Sequence, residues 1–402
     1  MAPYESGDAT GTARHDEDLR PGRRRAARYV VPVAVVGVAA ATIGLVPALA
    51  DSGDPDLPSI TAQQLIRKIA ASDVQRLSGT VKIDTDLGLP DLGGLGSGLA
   101  SGAARGGDGS FADPRAKLTE LASGTHTLHV AADGPDRQKV SLLERGAEYS
   151  LVHDGKDVWG YDSKSNEVYH AAAGFGAKRG AEPPATPEDF AGEALKSVDA
   201  TTSVTVDGTA HVAGRDAYKL LIKPRQSGST VGAISIAVDA RTGLPLKFTL
   251  TPAGGGAAVL DAGFTQVSFA RPAASTFDFT PPRGAKVTEG EGGHGTDGKA
   301  SGRGSASGGE FVGGLDGLDV LGKGWTSVAT FDTGAGGGLP TGSRGGDLGG
   351  FLGSLGDQVS GKFGKGTVFS TRLVNALITD DGTVYAGAVT KETLVKAANE
   401  GN

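Results

Sequence analysis

From Thr125 the chain runs as short stretches rich in β-branched and aromatic residues: THTLHVAAD, RQKVSLLER, AEYSLVHD, DVWGYD and EVYHA. Asp-Gly, Arg-Gly and Asn turn signals separate them at short, regular spacing. This predicts an antiparallel meander, because parallel neighbours need long crossovers. TPEDFAGEALKSVD then breaks the pattern with a helix over 187–198, capped by Thr186, with Pro187 at its first position and Phe190, Ala191, Ala194, Leu195 and Val198 on one face. Strands resume in TSVTVDGTAHVAG, RDAYKLLIKP, GAISIAVDARTGLPLKFTLT and AAVLDAGFTQVSFA, the third folding back at a glycine turn, and PRGAKVTE closes the region. Upstream, ITAQQLIRKIAASD reads as a helix over 61–72, with a Thr61–Gln64 capping box, an Ile60–Leu65 staple and an apolar face of Leu65, Ile66, Ile69 and Ala70. LSGTVKIDTDLGL follows it as a strand. Near the C-terminus, Leu348, Phe351, Leu352, Leu355 and Val359 stand at helical spacing, TVFSTRLVNALITDDGTVYAGAV is a hairpin about Asp-Asp-Gly, and TKETLVKAA is a terminal helix capped by Thr390.

Composition changes this picture in two places. Glycine supplies 66 of 402 residues, and its runs divide the chain into a mobile loop at 88–111 and a linker at 289–324. There is no cysteine, which excludes disulfides, thiolate metal sites and a Cys nucleophile. A net charge of −7 gives no basic footprint for nucleic acid. Residues 1–28 read as a disordered cytoplasmic segment ending in the cationic patch Arg20 to Arg28, followed by the uncharged stretch Tyr29 to Ala50. That is the layout of a signal peptide, with Ala48 and Ala50 before a cleavage site, or of a retained membrane anchor. Either way residues from 51 onward lie outside the cytoplasmic membrane.

No catalytic set emerges. GDQVSGKF, Gly356 to Phe363, has phosphate-loop spacing, but it lacks the final Ser or Thr and the strand-before, helix-after context. His126 and His129 are three apart on a strand and so point to opposite faces. His153 beside Asp154 at a turn is ordinary surface chemistry, and no zinc or calcium pattern is present. What remains is shape: a strongly curved antiparallel sheet with a few short helices against its concave side, whose interior is either packed or left open for a ligand. An acyl chain suits such a space without any polar motif, since sixteen carbons offer roughly 12 kcal/mol before entropy costs. Leu128, Val130, Tyr149, Leu151, Trp159, Tyr161, Phe190, Leu195 and Phe248 are the candidate wall. For Trp159 and Tyr161, two apart on one strand face, core and pocket wall are both open.

ITAQQLIRKIAASDVQRLSGTVKI, HDGKDVWGYDSKSNEVY, GRDAYKLLIKP and ISIAVDARTGLPLKFTL together resemble the LolA-like superfamily over about residues 57–288. This superfamily includes lipoprotein carriers and the sensor domain of RseB/MucB-type sigma-factor regulators, and its actinobacterial membrane-attached members look most similar. The resemblance implies a mainly β fold with helices: an unclosed antiparallel β-barrel with helical lids over an apolar cavity, spanning 51–288. It matches Trp159 and Tyr161 to the family's aromatic strand and the helix at Thr186 to a lid. It leaves Arg137, Arg145 and Arg215 as undistinguished candidates for a lid-latching arginine. The unit at 325–402 is extra to a bare carrier. The leading expectation is a non-enzymatic, extracytoplasmic lipid or lipoprotein binder without cofactor or metal. The rivals are an envelope sensor that contacts an anti-sigma or membrane partner through 325–402, and a structural surface protein with no ligand.

Overall fold

The computed structural model describes residues 54–88, 112, 114, 117, 120–172, 186–290, 319–332 and 356–401. The expected export segment at 29–50, nearly all of the glycine loop at 88–111 and most of the linker at 289–324 lie outside these residues. Asp54–Asn402 form one compact unit.

The unit is mainly β. Helix α1 (Ala62–Ala70) starts at Thr61, whose hydroxyl accepts from the Gln64 backbone while the Gln64 side chain accepts from the Thr61 N–H at 2.9 Å. Strands β1 (Arg76–Thr85), β2 (Gly124–Asp133), β3 (Arg137–Glu144), β4 (Ala147–Asp154), β5 (Asp157–Asp162) and β6 (Glu167–Ala172) follow. Helix α2 (Pro187–Lys196) starts at Thr186 with a capping box closed by Asp189. Strands β7 (Thr202–Val212), β8 (Arg215–Pro224), β9 (Val231–Asp239), β10 (Pro245–Pro252), β11 (Leu260–Ser268) and β12 (Lys286–Glu289) complete a 12-stranded sheet in the order β12-β6-β5-β4-β3-β2-β1-β11-β10-β9-β8-β7. It is not closed: β7 and β12 are its two edges. Every described pairing is antiparallel except β12 against β6, a four-residue parallel contact that the expected meander did not include.

Register defines the faces. Leu220, Ile236, Phe248, Ala262 and Ile83 stand opposite one another across successive strands. Val81, two residues from Ile83 and hence on the same side, continues the row through Leu128, Leu142 and Tyr149 to Asp162. α1 and α2 supply Leu65, Ala191 and Phe190 to the apolar cluster of Leu220, Ile236 and Phe248. The C-terminal end of α1 seats on the β9–β10 hairpin. There Gly243 has φ +81° and its α-carbon faces the Lys68 carbonyl so closely that a β-carbon would collide.

A second sheet holds β13 (Asp319–Leu321), β14 (Val328–Asp332), β15 (Asp357–Gly361), β16 (Gly364–Ser370), β17 (Asn375–Thr379) and β18 (Thr383–Gly387), in the order β13-β14-β18-β17-β16-β15. Helix α3 (Lys391–Glu400), capped by Thr390, buries Leu394 and Ala398 against it. The sequence differs here in two respects. Asp319–Leu321 is a strand inside the stretch read as linker. Val359, read as helical, lies in β15 opposite Gly366. Leu348, Phe351, Leu352 and Leu355 of the same expected helix lie outside the described residues. The physical reason at Val359 is the partner: β16 offers a complete ladder, whereas a glycine-rich helix loses up to about 1 kcal/mol per glycine. Gly361 and Lys362 thus sit in a β-hairpin, with β15 inside the phosphate-loop-like spacing and β16 directly after it.

Candidate functional site

The nine candidate wall residues separate by face. Leu128, Val130, Tyr149 and Leu151 share the first face, since Leu128 and Val130 stand opposite Leu142 and Val140, which stand opposite Tyr149 and Leu151. Phe248 joins them through Ala262 and Ile83. Phe190 of α2 stacks on Phe248 at 5.4 Å between ring centroids, and Leu195 packs in the same cluster. Trp159 and Tyr161 do not belong to this group. They stand opposite Val152 and Ser150, which alternate with Tyr149 and Leu151, so they lie on the second face. Their partners there are Phe279, at 5.5 Å from Trp159 and 5.8 Å from Tyr161, and His170, stacked on Trp159 at 3.8 Å. Phe279 belongs to the segment from Ser268 to Lys286 that carries the chain from β11 to the far edge strand β12. The aromatic pair on the hairpin therefore anchors this strap.

His170 fastens the end of the strap. Its Nδ1 meets Glu289 of β12 at 2.7 Å and its Nε2 meets Asp157 at 3.0 Å. Burial works against its proton, but the hydrogen bonds it donates to Asp157 and Glu289 outweigh that and raise the pKa above the ordinary histidine value. A raised folded pKa gives stability that is complete below the unfolded value of about 6.5 and is lost as pH rises through the folded value. Amide exchange at β12, corrected for intrinsic rate, should thus become faster above neutral pH than at pH 5.5. Glu289→Gln should flatten that dependence, and a wild-type profile already flat would refute the linkage.

Over β3–β5 the first face is roofed by a segment that is helical at Pro114, Lys117 and Glu120. Ala112 and Leu121 are buried in it, and the Tyr149 hydroxyl donates to the Ala112 carbonyl at 3.1 Å. Gly160 makes room: a β-carbon there would stand 2.5 Å from the Ala112 oxygen. Lys117 latches the segment, with Nζ 2.7 Å from Glu144 and 3.2 Å from Asp162. Burial disfavours the Lys117 cation, yet these two carboxylates outweigh it and raise its pKa above the ordinary lysine value. Sequence reading missed Gly160, Lys117 and Asp162. A glycine inside an otherwise apolar strand, which marks close backbone approach, was the available signal for Gly160.

Of the three candidate latch arginines, Arg215 is engaged by Asp239 and stacks on Phe269 at 4.5 Å. Arg137 pairs with Asp133 at 2.6 Å. Arg145 sits at the β3–β4 turn. His126 and His129 do point to opposite faces, standing across from Ile83 and Thr80. Among the described residues no group of three His, Cys, Asp or Glu side chains could hold a metal ion, and no helix is long and apolar enough to cross a membrane.

No family model and no curated protein matches the chain. Solved structures do. The complex of MucA and MucB from Pseudomonas aeruginosa aligns at 17% identity and TM-score 0.40, over 84% of this chain and 96% of that one. A LolA superfamily protein from Nitrosomonas europaea aligns at 11% identity and TM-score 0.23, over 55% and 99%. A putative outer membrane lipoprotein-sorting protein domain from Vibrio parahaemolyticus aligns at 10% identity and TM-score 0.21, over 52% and 91%.

Proposed function

We propose that this chain is an extracytoplasmic, non-enzymatic protein that holds acyl chains of lipid or lipoprotein against the first face of its sheet, which in this reading is concave. The observation that carries the proposal is the nature of the roof. An apolar face running from β8 to β4 is covered chiefly by α1, α2 and the segment that holds Ala112, Lys117 and Leu121, all short, with Trp325, Leu373 and Ala388 of the C-terminal unit packed against the same cluster. Short helices have little stability of their own. Lifting one costs chiefly its apolar contacts and, at Lys117, two ion pairs. An acyl chain replaces those contacts at about 0.8 kcal/mol per methylene. The export segment at 29–50, cleaved or kept as an anchor, leaves this unit on the outer side of the membrane. The test is to purify the full chain under native conditions, extract it for mass spectrometry and titrate it with a fluorescent fatty acid. Bound alkyl chains and saturable uptake are expected. An empty protein that takes up no probe would instead be a structural surface protein with a filled core.

A second reading, a sensor that passes the state of the lid to an anti-sigma or other membrane partner, is favoured by one contact set. Trp325, Leu373 and Ala388 of the C-terminal unit pack in the same cluster as Phe190 and Leu195 of α2. The two sheets are also joined by a Ser229–Val389 bridge and by Arg372, which reaches Asp86 at 2.5 Å and the Ala257 carbonyl. Arg372→Gln should shift fatty-acid affinity by about tenfold, the lower end of what one charge-assisted hydrogen bond contributes, although it touches no wall residue. An unchanged affinity would remove the coupling.

A further inference from the structure

Three arginines from separate elements meet in one cleft. Arg76 opens β1, Arg137 opens β3 and Arg271 follows β11. All three turn to Asp133 at the end of β2. That carboxylate, 5% exposed, accepts from Arg76 Nε at 3.2 Å, from Arg137 Nη2 at 2.6 Å and from Arg271 Nε at 3.0 Å. Burial opposes ionisation of Asp133, but Arg271, Arg137 and Arg76 outweigh it and hold its pKa below the ordinary aspartate value. Asp133 therefore stays anionic and fixes three guanidinium groups around itself. Only Asp73, exposed at the rim and held by Gln75, adds a second negative charge to the lining, so the cleft keeps a surplus positive charge.

The cleft has a volume of about 580 Å³. Arg76 and Arg271 are 57% and 59% exposed in it, so their remaining N–H groups are accessible to a ligand. Val74 and Phe269 line it too, and both pack against the apolar cluster of Val81, Leu128 and Tyr149. By register Arg76, Asp133 and Arg137 stand on the second face, so Val74 and Phe269, which line the cleft and pack against that cluster, are what joins the cationic cleft to the first face. A guanidinium group matches the planar geometry and charge of phosphate oxygens, and paired N–H donors make such contacts strong.

We propose that the cleft binds a phosphate-type anion through Arg76, Arg137 and Arg271, and that this anion is the headgroup of an amphiphile whose tail lies along the first face. The tail rests on the lipid-binding reading above; the head rests on the arginines alone.

Calorimetry on the full chain separates the two. Dioctanoyl-phosphatidylglycerol and dioctanoylglycerol share both tails and differ in the phosphate, while inorganic phosphate carries no tail. The phosphate-bearing lipid should bind about tenfold more tightly than the phosphate-free one, a preference of the size expected for hydrogen bonds to a charged group. Arg76→Gln with Arg271→Gln should abolish that preference and leave dioctanoylglycerol affinity in place, since Arg137 still pairs with Asp133. Should the double variant fail to fold, Arg271→Gln alone should lower the preference about threefold. Equal affinity for the two lipids, or a preference that survives substitution, would overturn the anion site and leave lipid binding standing. Inorganic phosphate bound at the arginines, with neither lipid bound, would keep the anion site and remove the lipid. No binding by any of the three would overturn both.

Discussion

Asp239→Ala should destabilise the protein by about 3–5 kcal/mol, the cost of leaving a partly buried cation without its partner. Asp239 is 1% exposed at the end of β9. It accepts from the Arg215 guanidinium, from the backbone N–H groups of Arg241 at 3.0 Å and Thr242 at 2.6 Å, and from the Thr242 hydroxyl at 2.9 Å. One carboxylate thus ties β8 to the β9–β10 turn on which α1 rests. Burial raises its pKa, but the hydrogen bonds from Arg215 and Thr242 outweigh it, so the folded value lies below the ordinary one. The stability it gives is complete above the unfolded value of about 3.9 and disappears as pH falls through the folded value. Chemical denaturation of wild type and Asp239→Ala at pH 7 and at pH 3 should show the gap between them narrowing in acid. A loss below 1 kcal/mol at pH 7 would show that the turn holds without the carboxylate.

Trp159→Ala should cost about 2–3 kcal/mol, somewhat below the usual range for a fully buried aromatic because Trp159 is only half-buried. It should leave fatty-acid affinity unchanged. The lost contacts are those with Phe279 and His170, so amide exchange should rise along the 269–289 strap. Phe248→Ala, on the opposite face and 4% exposed, should instead weaken fatty-acid binding about tenfold or more, since a buried aromatic ring contributes about 1.5–3 kcal/mol. Loss of lipid binding in Trp159→Ala at unchanged stability would return that residue to the pocket wall.

Local signals were the legible part of this fold. Thr61–Gln64, Thr186–Pro187 and Thr390 mark helix starts in the sequence, and each starts a helix in the structure. The dense Asp-Gly and Arg-Gly turns mark a meander that β2–β6 form in order. The two-residue turn at Gly155 and Lys156, closing with Asp154 opposite Asp157, already fixes Trp159 across from Val152, so the face of the aromatic pair follows from hairpin register. What its ring meets does not. Phe279 lies 120 residues downstream in a segment without periodic pattern, and KVTE is too short to declare a parallel partner. Val359 was misassigned because its spacing to Leu355 fits a helix, while the competing ladder with Gly366 lies beyond the window of that pattern. Lys117 gave no signal, because a buried lysine is recognised only when Glu144 and Asp162 are seen around it.

The most direct measurement is to load the full chain with a photoactivatable fatty acid, irradiate it and map the modified peptides by mass spectrometry. Labels are expected on Leu128, Val130, Tyr149, Leu151 or Phe248 and on the roof at Phe190 or Leu195. Labels confined to Trp159, Tyr161 and the strap, or no saturable labelling at all, would contradict an acyl site under the helical roof.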